Sequence, residues 1–427
     1  MPSEADLFRA LDDEPPTPST VSVQRAIATG RRHRARRNAG YAGAAALTAV
    51  AVAGVSVAGN LVAGPPGQPA ATGPTPSKTV PSKAGPSEAP AKPAYTIPGT
   101  PGWNAPPASP PSRCTIEKLP VPRNVRMALI SGADPTGRYL VGRSYPPGGG
   151  YQAVIWADGK GREVPLPGDS EELLTDANSA GVAVGWSYTE KGQLPYVYRD
   201  GKVSKLPGVK EGQAIAINEA GAIVGDSGGP GGGRVLVWPS PTAKPIKLPL
   251  PAGAQSASAG DIDEDGTVVG MLDYETPYVW FADGTHRELP VPDIDGKPAE
   301  TASVIGVRNG WAIGTATNGM GRKGEGAEGG KMVSVRWNIR TGEVQELAGR
   351  VRSLDAVNAQ GWVIGTGAEG HAVLAAGGTT VKLPALAAHQ PDGLSNIANA
   401  LSDDGRTIAG QSDDASGTIR AVIWRCQ

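Results

Sequence analysis

With 60 Gly and 40 Pro against 2 Phe in 427 residues, the chain is rich in turn formers and poor in aromatic core, a balance that favours all-β structure. Its 40 basic and 41 acidic residues give a formal charge of −1, which excludes a whole-molecule field drawing it to nucleic acid or to acidic lipid. The basic residues are unevenly placed, and that unevenness organises the first quarter of the chain.

Residues 1–37 end in a cluster of Arg31, Arg32, His33, Arg34, Arg36 and Arg37, after which an uncharged run extends from 38 to 77. Its apolar part, 39–62, has the length of a membrane-spanning helix of ~20 residues, and the arginines before it predict the N-terminus inside and the C-terminus outside. We read 1–37 as a cytoplasmic tail and 38–63 as a single type II span that acts as a signal anchor. The alternative is a cleaved secretion signal ending near Ser56-Val57-Ala58, although 37 residues are long for a signal's charged region. Residues 64–112 are rich in Pro, Ala, Ser and Thr without apolar periodicity, so they are expected to be disordered. At about 3.1 Å per residue in polyproline geometry, this spacer would reach on the order of 100 Å, within or beyond a cell wall.

From 113 to 427 one pattern recurs. Its third copy reads QAIAIN at 213–218, a turn, AIVG at 222–225, a Gly-rich loop, RVLVW at 234–238, another turn, and PIKLP at 245–249. Four short apolar runs divided by turn residues predict a four-stranded antiparallel sheet. The glycine taken to end the second strand counts seven copies: Gly142, Gly185, Gly225, Gly270, Gly314, Gly365 and Gly410. A period of 40 to 51 residues fits the blades of a β-propeller better than helical repeats, because the apolar runs are short and rich in Val, Ile and Gly. The third strand repeats around Trp156, Tyr198, Trp238, Trp280, Trp337, Leu374 and Trp424, whose large side chains are expected to pack between neighbouring sheets.

The last copy stops at Trp424 without a fourth strand, and the first is preceded by an orphan one at 115–120. Joining the two halves sets Cys114 and Cys426, the only cysteines, where the turn between strands three and four should lie. A disulfide there would lock the ring and accords with an oxidising compartment.

The pattern of Ala-Val-Ile-Trp, a turn, Leu-Pro and Ala-Ile-Asn-x-x-Gly-x-Ile-Val-Gly-x-Ser resembles the HAF repeats of extracellular bacterial surface proteins. The His-Ala-Phe tripeptide is approached at His371-Ala372-Val373, and the histidine is absent from the other copies. The family is defined by its repeat and not by a reaction, so the resemblance implies a surface location. The tail, with DLFRALD at 6–12, resembles tails of actinobacterial single-pass envelope proteins.

Asp261, Asp263 and Asp265 with Gly266 imitate the start of a calcium loop, but the twelfth position is Leu272 instead of Glu and other copies carry an ordinary turn there. His286, His371 and His389 fall in three different copies, without zinc spacing. The serines lack a Gly-x-Ser-x-Gly context, and the Gly-rich stretch 228–233 has no Lys-Ser/Thr and precedes a strand. No catalytic residue, metal or cofactor is assigned.

If the first strand of each blade lines the channel, the irregular loops at 168–172, 291–303, 317–332 and 385–396 share one face with the other strand-two-to-three and inter-blade connections. Variable loops on a rigid frame are where binding resides. Arg123, Arg126, Glu171, Glu172, Lys210, Asp293, Asp295, Arg350, Arg352, His389 and Asp392 are therefore expected to surround a ligand site. The chain reads as a monomeric, membrane-held binding or scaffold module, outside the cell, for a surface protein or an envelope glycan. Two other readings stay open: an extracytoplasmic hydrolase or lyase built from carboxylates of several blades, and a transmembrane regulator signalling through the tail.

Overall fold

The computed structural model describes residues 108–427 apart from 169–170, 191, 229–232, 320–329, 348 and 388–395. The tail, the apolar segment and all but the end of the Pro-rich stretch lie outside the described residues. Among the described residues there is no helix long and apolar enough to cross a membrane.

Among the described residues seven four-stranded antiparallel sheets follow one another, six of them with their strands in chain order, with one extra two-stranded hairpin. The first strands, Met127–Ala133, Glu172–Ala177, Gly212–Ile217, Ala257–Ile262, Thr301–Arg308, Ser353–Val357 and Asn396–Leu401, touch in succession around a central channel. The chain is a seven-bladed β-propeller. The seventh blade is composite: its outer strand is Cys114–Lys118, paired with Ile419–Cys426. Cys114 faces Cys426 at the end of that pair and is disulfide-bonded to it, so the first ordered strand and the last close the ring.

Burial changes outward along each sheet. The first strand alternates, as in Met127–Ala133, because one side faces the channel and the other a neighbouring blade. The third is buried almost throughout, as in Gln152–Ala157, because sheets pack on both of its faces. The fourth, as in Lys160–Glu163, is an exposed edge of four residues carrying charge, which discourages pairing with other chains.

Two recurring devices build this arrangement. In every blade the first strand carries a bulge at its third to fifth residue, where Ser131, Thr175, Ile215, Gly260, Ile305, Asp355 and Asn399 are skipped in the pairing. The repeat glycine of the second strand stands opposite. A Cβ there would sit inside the van der Waals radius of the first-strand carbonyl, as of Gln213 for Gly225 or Leu129 for Gly142. These glycines lie within the second strand instead of ending it: Gly142 is central in Tyr139–Tyr145.

The second device joins blades. The buried indoles of Trp156, Trp238, Trp280, Trp337 and Trp424 each donate through Nε1 to the carbonyl of a proline ending the blade before, at 2.7–2.9 Å: Pro120, Pro207, Pro249, Pro290 and Pro384. The Trp of the third strand and the Leu-Pro of the fourth are thus two halves of one contact. In the second blade Tyr198 takes the place and bonds Arg162. Register puts Ala375, not Leu374, there in the sixth, because Val373 pairs with the repeat glycine Gly365.

The repeat's Asn is equally structural. Asn218 accepts from the Ala222 amide at 2.9 Å to close its own turn and donates to the Asp263 carbonyl of the next blade at 3.2 Å. Asn178 and Asn358 do the same.

Two outcomes follow for stability. Trp238→Phe removes the inter-blade bond and opens a cavity, and should cost about 2–3 kcal/mol in chemical unfolding. Reducing the disulfide, or Cys426→Ser, should lower the thermal midpoint by roughly 5 °C or more, because a loop of 312 residues is no longer constrained; an unchanged midpoint in calorimetry contradicts the closing role.

Candidate functional site

A cavity of about 390 Å³ opens on the face that carries the strand-two-to-three loops and the blade linkers, among the second, third and fourth blades. Its inner groups, Trp186, Tyr188, Gln193, Gln213 and Asp226, stand on strands and are held by the sheet framework, and loop residues form the rim. Trp186 and Tyr188, two apart on Ala183–Thr189, project to the same side and meet edge to face at 5.5 Å. Gln193, on the next strand, donates to Gln213 Oε1 at 3.3 Å, and Gln213 Nε2 donates to Asp226 at 3.3 Å. Gln213 and Asp226 are register partners in the third blade. The other oxygen of Asp226 accepts the Ala259 amide of the fourth blade at 2.7 Å.

Burial pushes the Asp226 carboxyl up to about 6, against the lowering effect of the Ala259 and Gln213 bonds. At the rim, Asp273 accepts both the Gln255 and Ser256 amides, and these bonds hold its carboxyl below the usual range. Tyr274, beside it, is 53% exposed.

Of the residues expected to form a site, Glu171 lines this cavity. Glu172 is buried and structural: its carboxylate accepts from Gln152 at 2.8 Å and from the Leu166 amide at 3.2 Å, tying the first blade to the second, so it is not a rim group. Arg123, Arg126, Lys210 and Arg352 are exposed on blade linkers. Arg350 donates to the Thr379 carbonyl. Asp293 and Asp295 sit on the extra hairpin, where Asp295 pairs with Lys331 at 2.6 Å. His389 and Asp392 lie outside the described residues. The nominated charges thus spread around the ring, and aromatic and amide groups fill the cavity.

The calcium-like carboxylates are also spoken for. Asp261 accepts the Val307 amide, Asp263 accepts those of Asn309 and Gly310, and Asp265 pairs with Arg340. No group of three potential ligands that could hold a metal ion occurs among the described residues.

A second cavity, about 330 Å³, is the channel itself, lined by all seven first strands. The bulge turns side chains into it. Thr175 Oγ1 shares its proton between the Val184 carbonyl of its own blade and the Ala214 carbonyl of the next, at 3.1 Å each. One mouth is crossed by Arg308 of the fifth blade, which pairs with Glu264 of the fourth and, through Nε and Nη2, with both oxygens of Asp403 in the seventh.

Three channel carboxylates are perturbed. Burial raises Asp176 well above its ordinary value, with repulsion from Asp261 adding to it, although the carboxylate accepts the Ile217 amide. Asp261 is raised by burial to about 7. Asp355, at a bulge, is raised by burial to about 7, and its Oδ2 meets no hydrogen-bond partner.

No family model and no curated protein matches the chain. Among solved structures it is similar to an oligogalacturonate lyase in complex with manganese, at 11% identity and TM-score 0.49 over 75% of this chain and 96% of that one. The β-propeller domain of the Trilobed protease from Pyrococcus furiosus gives 12% identity and 0.47 over 70% and 95%. An oligogalacturonate lyase from Vibrio parahaemolyticus gives 11% and 0.46 over 75% and 96%.

The Asp355 shift sets a pH dependence. A carboxyl raised from about 4 unfolded to about 7 folded binds its proton more tightly in the native state, so its stabilising contribution is complete below pH 4 and is lost as pH rises through 7. Asp355→Asn should therefore be close to neutral at pH 4 and stabilising at pH 8, by on the order of 4 kcal/mol, in urea titrations at the two pH values.

Proposed function

We propose that the chain is a membrane-anchored binding module of the HAF-repeat, actinobacterial envelope type, with a cytoplasmic tail, one span at 38–63 and a monomeric propeller outside the cell. Its ligand, a surface protein or an envelope glycan, docks on the loop face at the cavity among the second, third and fourth blades. The observation that carries this reading is the character of that cavity: rings of Trp186 and Tyr188 beside a hydrogen-bonded chain of Gln193, Gln213 and Asp226, all on strands. Apolar walls with a few convergent polar groups on a stiff frame are the general form of a ligand site. The arginines before the apolar run and the disulfide of the ring support the external location.

One observation favours a second reading, a hydrolase or lyase. The perturbed channel acids would supply a proton donor near neutral pH, with Asp355 the carboxyl left with an unbonded oxygen. Asp176 and Asp261 already hold backbone amides of the next blade, which makes them structural in the first instance.

The experiment is retention of the full-length protein, solubilised in mild detergent, on cell-wall and surface-protein fractions of its own host. Retention on one fraction, reduced at least tenfold by Trp186→Ala and unaffected by Asp355→Asn, is the expected result; retention that ignores Trp186 overturns the assignment of the face.

A further inference from the structure

Two-residue turns with both central residues left-handed recur in this propeller, and they share a sequence. Asp158-Gly159, Asp200-Gly201, Asp295-Gly296 and Asn309-Gly310 have φ of +50 and +73, +51 and +79, +55 and +77, and +49 and +77 degrees. That is the Asp-Gly or Asn-Gly hairpin turn expected where strands of right-handed twist are joined tightly. The connection between the second and third strands of the fourth blade carries the same pair of left-handed residues, φ +50 and +65 degrees, but reads Asp273-Tyr274, and pairing resumes at Thr276 so that Glu275 is a third loop residue. The Glu275 amide closes it on the Leu272 carbonyl at 3.0 Å.

A tyrosine at this position is strained, because its Cβ crowds the backbone where a glycine has none. Burial does not offset the strain, since Tyr274 is more than half exposed. Strain that the fold does not require, at the rim of a cavity, points to function. The inference that follows rests on reading that cavity as a binding site.

We propose that Tyr274 is a ligand-contacting ring, and that with Trp186 and Tyr188 it grips a neutral or amine-bearing sugar unit whose hydroxyls bond the Gln193–Gln213–Asp226 chain. A pyranose has two chemical faces of use here: a patch of C–H groups that packs on aromatic rings, and a girdle of hydroxyls that each donate and accept. The cavity offers both. After their internal bonds, Gln193 keeps a carbonyl and an N–H, Gln213 keeps an N–H, and each oxygen of Asp226 keeps a lone pair. Charge narrows the class. Glu171, Asp226 and Asp273 line the cavity and no Lys or Arg does so among the described residues, which disfavours uronic acids and sugar phosphates.

The test is calorimetric titration of the full-length protein with cellotetraose, a chitosan tetramer and a tetragalacturonate, followed by the Tyr274→Gly and Tyr274→Phe variants. Binding of cellotetraose or the chitosan tetramer but not of tetragalacturonate is expected. Tyr274→Gly should weaken that binding at least tenfold while its thermal midpoint stays level or rises by about 1 °C; Tyr274→Phe should keep most of the affinity. Affinity unchanged in Tyr274→Gly, a midpoint that falls in that variant, or a preference for tetragalacturonate each overturns the proposal. Should none of the three sugars bind while envelope retention still depends on Trp186, the sugar class fails and the binding site stands; if that retention is also lost, both fail.

Discussion

Where one blade meets the next, an indole N–H of the third strand reaches a proline carbonyl that the preceding blade presents at its rim. The third strand is buried on both faces, so a sheet by itself would leave both of them against water. The apolar contact is what makes each sheet need a neighbour, and the hydrogen bond fixes which height and angle that neighbour takes. With five blades repeating the same bond, the ring's geometry is set at the outside, and the first strands are left to line the axis.

That division of labour explains where chemistry can appear. Near the axis, a bulge opposite each repeat glycine turns one residue per blade toward the channel, and these positions vary from Ser131 to Gly260 to Ile305 to Asp355. On the turn face, Asn218 and its counterparts are consumed in linking blades, and Arg308 spans the mouth. The loop face keeps the freedom. There the strand ends of the second and third blades carry Trp186, Gln193 and Asp226, none of which belongs to the repeat.

The architecture was legible because its determinants recur. A glycine that must be a glycine, a tryptophan that must find a carbonyl and an orphan strand ending in Leu-Pro are each visible in one copy and confirmed by the next. The sixth blade shows the limit: with Ala375 in the indole's place the landmark is gone, and the larger Leu374 beside it mimics the repeat one residue out of register. The cavity was not legible for the opposite reason. It is made of residues that occur once, from three separate copies, and nothing local marks Gln213 and Asp226 as partners. Charged loop residues drew attention instead, and Glu172 proved to be a buried tie between blades, its one extra position inward making it part of the strand. A signal for Tyr274 does exist in the sequence, a tyrosine following Asp in a tight turn where sister turns have glycine, but it has meaning only once the turn geometry is known.

The position of the disulfide along its strand matters for mechanical force. Tension arriving through the chain before residue 108 enters the propeller at the outermost strand, an edge held to its neighbour by one ladder of hydrogen bonds. In that geometry a ladder peels one rung at a time, each rung weak alone. Cys114 is the first residue of the strand and Cys426 its partner, so behind the bonds of Ser112 and Arg113 to Gln427 a pull meets the covalent rung before any other rung of the strand. Load entering there passes directly into the third strand of the seventh blade, and the outermost strand cannot be unzipped from it.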